Sequence, residues 1–332
     1  MADAKNLVIF GEITNGDLSS ITNEILGSGR KLADELKENL ICVLVGKNLG
    51  ESPQKAISHG ADIVYTVDDP VFKDYQTEPY VAALAKLAKE ISPRILLFGQ
   101  TSAGRDLAPR LAFRLGVSVS MDCLELAFNS GTKLFELTKP VYGGNARAVF
   151  TSESMPQMAT IRQKAMSPLE PDSSRKGEII PYKVEIDPAS IKAKLIDTVK
   201  EEVAGIKLED ATVIVSGGRG IGSPDGFKQL EELAKLLKGA VGASRPPCDN
   251  KWISDTAQVG LTGKIVTPEV YIAVAISGAS QHLAGCSGAK NIIAINKDPE
   301  ANIFKEARYG VVGDWKQVLP AFTKRIKELL AG

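Results

Sequence analysis

Cysteine and histidine are scarce in this chain, and neither is arranged for a metal or disulfide site. The four cysteines form no C-x-x-C pair and lie far apart, at Cys42, Cys123, Cys248 and Cys286. Such spacing argues against a disulfide framework and against a zinc site. With only two histidines, His59 and His282, a histidine-rich metal centre is excluded. We therefore expect no bound metal and a reducing compartment, most simply the cytoplasm.

Net charge and long apolar runs are also lacking. Lys+Arg and Asp+Glu both number 40, whereas nucleic-acid binders and polybasic membrane-surface proteins carry a basic excess. No run of eighteen apolar residues is present, so we expect no membrane insertion. The apolar stretch at 7–10 is too short for a signal peptide, and we expect it to be the first β-strand. A length of 332 residues predicts about two domains.

Short apolar runs in the first half of the chain alternate with segments whose apolar residues are spaced as in a helix. The apolar runs lie at 7–10, 41–45, 61–67 and 95–98. This alternation predicts parallel strands joined by helical crossovers, and strands that are apolar throughout fit a sheet covered on both faces. From about 123 to 161 polar and apolar residues alternate, which predicts antiparallel strands added at the edge of this sheet.

A second group of apolar runs follows a charged segment near 200–210, where we place the domain boundary. The predicted domains are 1–203 and 204–332. The runs of the second domain lie at 211–215, 240–243, 270–276, 291–295 and 309–312. The predicted fold class is α/β, with two doubly wound parallel-sheet domains, the C-terminal one five-stranded and Rossmann-like.

Ligands of open parallel sheets bind where strands end, and the first strand of the second domain ends in a glycine-rich turn, SGGRGIG at 216–222. The glycines allow the backbone to approach a ligand closely, and Arg219 offers a charge suited to phosphate. The turn is not the dinucleotide fingerprint, because Ser223 stands where the last glycine is needed. A tight turn with a solvated arginine is the alternative interpretation.

The next two segments at strand ends add further polar groups. Two prolines after Arg245 are expected to end regular structure. Arg245 then lies at the carboxyl edge of the sheet, where it can stack on an aromatic ring system, pair with an anion or form a surface salt bridge. The loop QVGLTGK at 258–264 fails the P-loop pattern, because Ile265 replaces the Ser or Thr that binds magnesium. Its glycines and Thr262 can still offer N–H groups and a hydroxyl to a ligand.

The strongest signal follows the strand at 270–276. There SGASQH at 277–282 combines a Ser-Gly turn with a helix start, which gathers N–H groups into an anion site. His282 either contacts this ligand or is a structural residue. Asn296 and Asp314, at later strand ends, suit a ribose or adenine, although turn and helix capping is the commoner use of such residues.

The sequence offers no nucleophile elbow, Ser/His/Asp triad, paired carboxylates or metal cluster. A site for a large phosphate-bearing ligand with little acid–base machinery is typical of a redox protein whose cofactor supplies the chemistry. We therefore predict a cofactor-dependent redox protein and assign no catalytic residue to it.

Five segments of the second domain resemble the α-subunit of the electron transfer flavoproteins in order and spacing. They are 216–220, 241–245, 258–264, 276–285 and 294–299. Segments 104–111, 142–146 and 156–160 resemble this family more weakly. The resemblance implies that the second domain binds FAD non-covalently. The implied cofactor-binding residues are Arg219, Ser244, Arg245, Gln258, Val259, Gly260, Thr262, Ser277, Gly278, Ala279, Ser280, Gln281, His282, Asn296, Asp314 and Trp315.

By the same resemblance, Arg245 lies over the isoalloxazine, Thr262 approaches its N5 edge and His282 approaches O2. A reduced flavin carries negative charge near N1 and O2, so Arg245 and a protonated His282 are both expected to raise its potential. We expect reduction to raise the pKa of His282, so that the flavin potential climbs as pH falls through the usual histidine range, about pH 6.5.

The resemblance also implies a heterodimer with a β-subunit that carries AMP or a second FAD, and a first domain that forms most of the interface. The function that the resemblance implies is that of an electron carrier rather than an enzyme, with electrons passing from dehydrogenases, typically acyl-CoA dehydrogenases, to a quinone reductase or another acceptor. Two alternatives stay open here. One is a subunit of an NADH-dependent electron-bifurcating complex, and the other is a nucleotide-binding module without a redox role.

Overall fold

The computed structural model describes residues 4–14, 16–144, 146–187, 191–193, 195–197 and 206–331. The chain forms two compact units, one made of 1–141 with 146–198 and the other of 142–145 with 199–332. The predicted boundary between residues 203 and 204 lies outside the described residues, so its position stays a prediction. Within the described ranges, no helix is long and apolar enough to cross a membrane.

A seven-stranded parallel sheet forms the centre of the first unit. The strands of this unit are β1 (Leu7–Gly11), β2 (Ile13–Thr14), β3 (Asp17–Leu18), β4 (Leu40–Gly46), β5 (Ile63–Asp68), β6 (Ile95–Gly99), β7 (Val119–Cys123), β8 (Glu125–Asn129), β9 (Leu134–Val141), β10 (Ala146–Phe150), β11 (Gln157–Ile161) and β12 (Glu178–Pro181). Its helices are α1 (Ser20–Leu36), α2 (Ser52–Ser58), α3 (Thr77–Ile91) and α4 (Ser102–Leu115).

The order of strands in this sheet is β12-β5-β4-β1-β6-β11-β7, and all neighbours run parallel. Ile25 and Leu26 of α1 belong to the core on one face. Leu84 of α3 and Leu111 of α4 belong to the core on the other. The helices therefore cover both faces, as the uniformly apolar strands predict.

The antiparallel strands of the first unit form a sheet of their own, so the expectation that they extend the main sheet is wrong. β9 pairs antiparallel with both β8 and β10, while β11 lies parallel between β6 and β7. The reason is burial, because β9 alternates between buried and half-buried residues over its first half, whereas all five residues of β11 are buried. Only a strand buried on both faces fits inside a sheet that helices cover on both sides.

The second unit contains the predicted five-stranded parallel sheet, in the order β14-β13-β15-β16-β17. Its strands are β13 (Val213–Gly217), β14 (Ala240–Ala243), β15 (Val270–Val274), β16 (Asn291–Asn296) and β17 (Tyr309–Val312). Its helices are α5 (Pro224–Leu236), α6 (Arg245–Asp249), α7 (Ser280–Cys286), α8 (Ile303–Glu306) and α9 (Trp315–Ala331). The chain passes from β13 to β14 on one side and then crosses to β15 on the other, which creates a switch point beside β13.

Apolar side chains on both faces of this sheet hold the helices in place. Phe227 of α5 and Leu319 of α9 share one core, while Cys286 of α7 and Ile303 of α8 share the other. The two prolines after Arg245 do not end regular structure as expected. They lie in the first turn of α6, where the missing N–H costs no hydrogen bond.

Candidate functional site

A cavity of about 620 Å³ opens at the carboxyl ends of the strands of the second unit. It lies at the switch point between β13 and β15, the usual position of a ligand in such a sheet. The predicted site residues that line it are Arg219, Ser244, Arg245, Gln258, Val259, Gly260, Thr262, Ser277, Ala279, Gln281, His282 and Asn296. Segments far apart in the sequence therefore meet around one space.

Two backbone segments approach each other closely beside this cavity. The N–H of Gly218 donates to the carbonyl oxygen of Val274 at 2.9 Å. A Cβ on Gly218 would lie 2.0 Å from the carbonyl oxygen of Ala275, so no larger residue fits there. Ala275 has a φ of +54°, in the left-handed region that costs an L-residue about 1–2 kcal/mol. The end of β15 is thus held in a strained turn at the cavity wall.

The loop at 258–264 is fixed between the end of β14 and α7. The N–H of Val259 donates to the carbonyl of Ala243 at 2.8 Å, and the N–H of Leu261 donates to the carbonyl of Gln281 at 2.7 Å. Within the loop, the Gln258 amide Nε2 donates to the hydroxyl of Thr262 at 3.0 Å. Because that hydroxyl accepts from Gln258, its own proton can be donated to a ligand.

The two predicted arginines stand at the mouth of the cavity rather than inside it. Arg219 is exposed after β13. Arg245 has a side chain that is 66% exposed, and its Nε donates to Asp249 Oδ2 at 3.2 Å. Exposed pairs of this kind contribute about 0–1 kcal/mol, so an anion or an electron-rich ring can compete for the guanidinium at little cost.

His282 is buried, with 6% of its surface exposed. Its Nδ1 lies 3.0 Å from the carbonyl oxygen of Val259, and its Nε2 lies 3.0 Å from the hydroxyl of Tyr271. Burial lowers the pKa of this imidazole from 6.5 to about 4. In this structure the neutral ring is favoured, because it is desolvated and both nitrogens already have protein partners, and proton uptake by His282 beside a reduced flavin stays a prediction.

The described residues contain no cluster of three or more His, Cys, Asp or Glu that could hold a metal ion. The chemistry of the site thus depends on backbone amides, hydroxyls, two arginines and the apolar walls of the cavity.

Comparisons with known proteins assign the fold and the site to one family. The chain matches the electron transfer flavoprotein domain over 7–187 and the electron transfer flavoprotein FAD-binding domain over 207–287. It is 46% identical over 330 residues to the electron transfer flavoprotein subunit alpha of Thermoanaerobacterium thermosaccharolyticum, which covers 99% of this chain and 100% of the relative. The chain belongs to the electron transfer flavoprotein α-subunit family.

Further relatives are similar over their full length. The same subunit of Megasphaera elsdenii is 42% identical, over 99% of this chain and 98% of the relative. Protein FixB of Clostridium saccharobutylicum is 39% identical, over 100% and 99%. The resemblance read from the sequence is therefore confirmed across both units.

Four of the predicted cofactor residues lie outside the lining of the cavity. Trp315 is buried and donates from Nε1 to the carbonyl of Gly220 at 3.0 Å, which fixes α9 to the turn after β13. Asp314 accepts the N–H of Lys316 at the start of α9. Capping and packing of this kind are the common structural roles of residues at strand ends, as opposed to cofactor binding.

The other two residues shape the turn into α7. Gly278 has a φ of +81°, and a Cβ there would lie 2.2 Å from the N–H nitrogen of Ile303. Ser280 is exposed and donates to the Gln281 side chain at 3.3 Å. Asn296 does line the cavity, but its amide Nδ2 donates to the carbonyl of Ile276 at 2.8 Å, so it also ties the ends of β15 and β16 together.

Sequence reasoning missed seven lining residues: Gly220, Pro246, Leu261, Ala275, Ile276, Asp298 and Ala301. Gly220, Pro246, Leu261 and Ile276 directly adjoin predicted residues, and Ala275 lies two residues before Ser277, so position at a strand end is the available signal for these five. Asp298 and Ala301 follow the end of β16, where only Asn296 was singled out. Neither Asp298 nor Ala301 belongs to a sequence pattern that indicates a ligand site.

We expect Ala275→Gly to stabilise the second unit by about 0.5–1 kcal/mol. Glycine removes the cost of the left-handed turn, about 1–2 kcal/mol, and part of the gain is lost to the greater freedom of the unfolded chain. The matched change Gly278→Ala should destabilise by about 2 kcal/mol or more, since its Cβ meets Ile303. Denaturant unfolding of the two variants measures both effects, and equal midpoints for both would contradict this description of the turns.

A second prediction concerns the pH dependence of stability. The pKa of His282 is about 4 in the folded chain and about 6.5 when unfolded, so between these values the unfolded state binds more protons. Stability contributed by the neutral ring should therefore fall as pH falls, by about 2 kcal/mol between pH 7.5 and 5. His282→Gln should lack this component. Unfolding free energies of the wild type and the variant at both pH values test it, and parallel pH profiles would contradict a neutral His282.

Proposed function

We propose that this chain holds FAD non-covalently in the 620 Å³ cavity and acts, together with a β-subunit, as an electron carrier. The proposal rests on where the lining residues of the cavity lie in the sequence. All lining residues from Arg219 to His282 fall within 207–287, the segment that matches the FAD-binding domain of the family. Three further lining residues, Asn296, Asp298 and Ala301, follow this segment, so the cavity and the FAD-binding family segment largely coincide.

The residues present fit FAD. The volume lies in the range of about 300–1,000 Å³ typical of cofactor pockets. Apolar wall residues such as Val259 and Ile276 suit a flat ring system, whereas Arg219 at the glycine-rich turn suits a diphosphate. Asp298 supplies the carboxylate of the lining, and it lies at the end of β16, where ribose hydroxyls are suitable partners for it.

Bound FAD supplies one- and two-electron redox chemistry, and the protein supplies binding, orientation and charge. Arg245 brings a permanent positive charge to the cavity mouth, and Thr262 brings a hydroxyl whose acceptor side is occupied by Gln258. Arg245, Thr262 and His282 are the side chains that we place beside the isoalloxazine ring. Since His282 is neutral, Arg245 is the main one whose charge favours the reduced, electron-rich cofactor.

Within this proposal, electrons come from a dehydrogenase, typically an acyl-CoA dehydrogenase, and pass to a quinone reductase or another acceptor. The first unit forms most of the contact with the β-subunit, which carries AMP in a simple carrier or a second FAD in a bifurcating complex. The complex works in the cytoplasm. No catalytic side chain is required of this chain, because the docked partners exchange electrons with the cofactor.

The proposal is tested by co-expressing the chain with its β-subunit, recording the visible spectrum and separating the released nucleotides by chromatography. We expect a yellow complex with FAD held by this chain and AMP released from the partner. Two FAD per heterodimer together with NADH oxidation would instead establish the bifurcating type. A colourless complex that takes up no FAD would refute the proposal.

Arg245→Ala should keep most of the FAD but lower its reduction potential. Loss of one close charge costs the reduced cofactor about 1–3 kcal/mol, which is about 40–130 mV for one electron. The control is Lys290→Ala, which removes a cation of an exposed ion pair with Glu269 at the opposite end of the strands. Potentiometric titration measures the reduction potential of FAD in both variants. Equal changes in potential would contradict a place for Arg245 beside the redox cofactor.

A further inference from the structure

A chain of three buried groups connects the core of the second unit to the cavity wall. Tyr271 on β15 is completely buried, and Val259 in the 258–264 loop is 1% exposed. Between them lies His282 of α7, with its two ring nitrogens 3.0 Å from the Tyr271 hydroxyl and 3.0 Å from the Val259 carbonyl oxygen. His282 and Val259 line the cavity, and Tyr271 is not among the lining residues.

For a neutral His282 ring, the geometry allows only one arrangement of protons along this chain. A carbonyl oxygen is an acceptor only, so the His282 nitrogen that faces Val259, Nδ1, must carry the hydrogen. In the neutral ring Nε2 then has none and accepts from the Tyr271 O–H. The opposite tautomer would place two acceptors, Nδ1 and the carbonyl oxygen, at 3.0 Å with no proton between them.

The surroundings keep this arrangement in place. Burial raises the pKa of the Tyr271 hydroxyl well above its usual value, so the group stays protonated and remains a donor. Burial also lowers the pKa of His282 to about 4, so the ring stays neutral. Because these groups are buried, water is poorly placed to replace a lost partner.

We propose that Tyr271 is a positioning residue for the cofactor site. Its hydroxyl fixes His282 as the Nδ1–H tautomer, and His282 in turn holds the carbonyl of Val259 and so the 258–264 loop against α7. The inference rests on the proposed function in one respect, namely that the ligand of this loop is FAD. The proton arrangement itself does not depend on a bound flavin.

The tautomer can be observed directly by labelling the complex with ¹⁵N-histidine. The signals of His282 are those that disappear in the His282→Gln variant and remain in the His59→Gln variant, an assignment that holds even when the β-subunit contains labelled histidines. Long-range ¹H–¹⁵N correlation near about pH 7 should show a protonated Nδ1 and a bare Nε2. In Tyr271→Phe the Nε2 signal should move to that of a nitrogen without a donor. A protonated Nε2, a charged ring, or an Nε2 signal unchanged in Tyr271→Phe would overturn the proposal.

The effect on the cofactor is measured by titrating FAD into the flavin-depleted complex. Tyr271→Phe should weaken FAD binding by about tenfold, which equals about 1.4 kcal/mol. The control is Tyr80→Phe in the first unit, another buried tyrosine whose hydroxyl faces carbonyl oxygens. It should leave FAD affinity unchanged, and equal weakening in both variants would overturn the positioning role.

A pair of substitutions at His282 separates its two hydrogen bonds. The asparagine amide reaches the place of Nδ1, whereas the glutamine amide reaches the place of Nε2. His282→Asn should therefore bind FAD more tightly than His282→Gln, because it alone retains a donor to Val259. Tighter binding by the glutamine variant would contradict the proposal. A complex that never contains FAD refutes the proposed function instead, since the tautomer measurement needs no flavin.

Discussion

The cavity depends on the close approach of two backbone segments at the switch point of the five-stranded sheet. Gly218 follows β13 and Ala275 follows β15, and no side chain fits between them because a Cβ on Gly218 would lie 2.0 Å from the Ala275 carbonyl oxygen. From this point the chain leads from β13 to α5 on one face of the sheet and from β15 to α7 on the other. The space between the departing segments, closed by the loop at 258–264, is the site of about 620 Å³.

Charge and rigidity are divided between different residues around this space. The loop and α7 are held by backbone hydrogen bonds and by the buried Tyr271–His282–Val259 chain, which is neutral. The cations, Arg219 and Arg245, are exposed at the mouth. Because the buried wall is neutral and both arginines are exposed, the chain does not bear the cost of burying unpaired charge before the cofactor binds.

The sequence was sufficient to predict the five-stranded sheet and most of the site, because strand ends of a parallel sheet converge by topology. It failed where the outcome depends on tertiary packing. The segment at 157–161 was assigned to an antiparallel edge, yet complete burial places it inside the main sheet. For Trp315 the sequence does not reveal the hydrogen bond from its Nε1 to the carbonyl of Gly220, and its contact with the cofactor stays a prediction. For His282 the sequence indicates a place beside the ligand, and only the structure reveals the tyrosine and the carbonyl that enclose the ring.

The most direct test of the account is hydrogen exchange of the complex with and without FAD, read out on peptides of this chain. The account predicts that FAD protects amides at 217–222, 258–263 and 275–282, the segments that meet around the cavity. Peptides at the opposite ends of the strands, around Pro268 and Lys290, should exchange equally in both states. Protection at those ends, or confined to the first unit, would contradict the assignment of this cavity as the cofactor site.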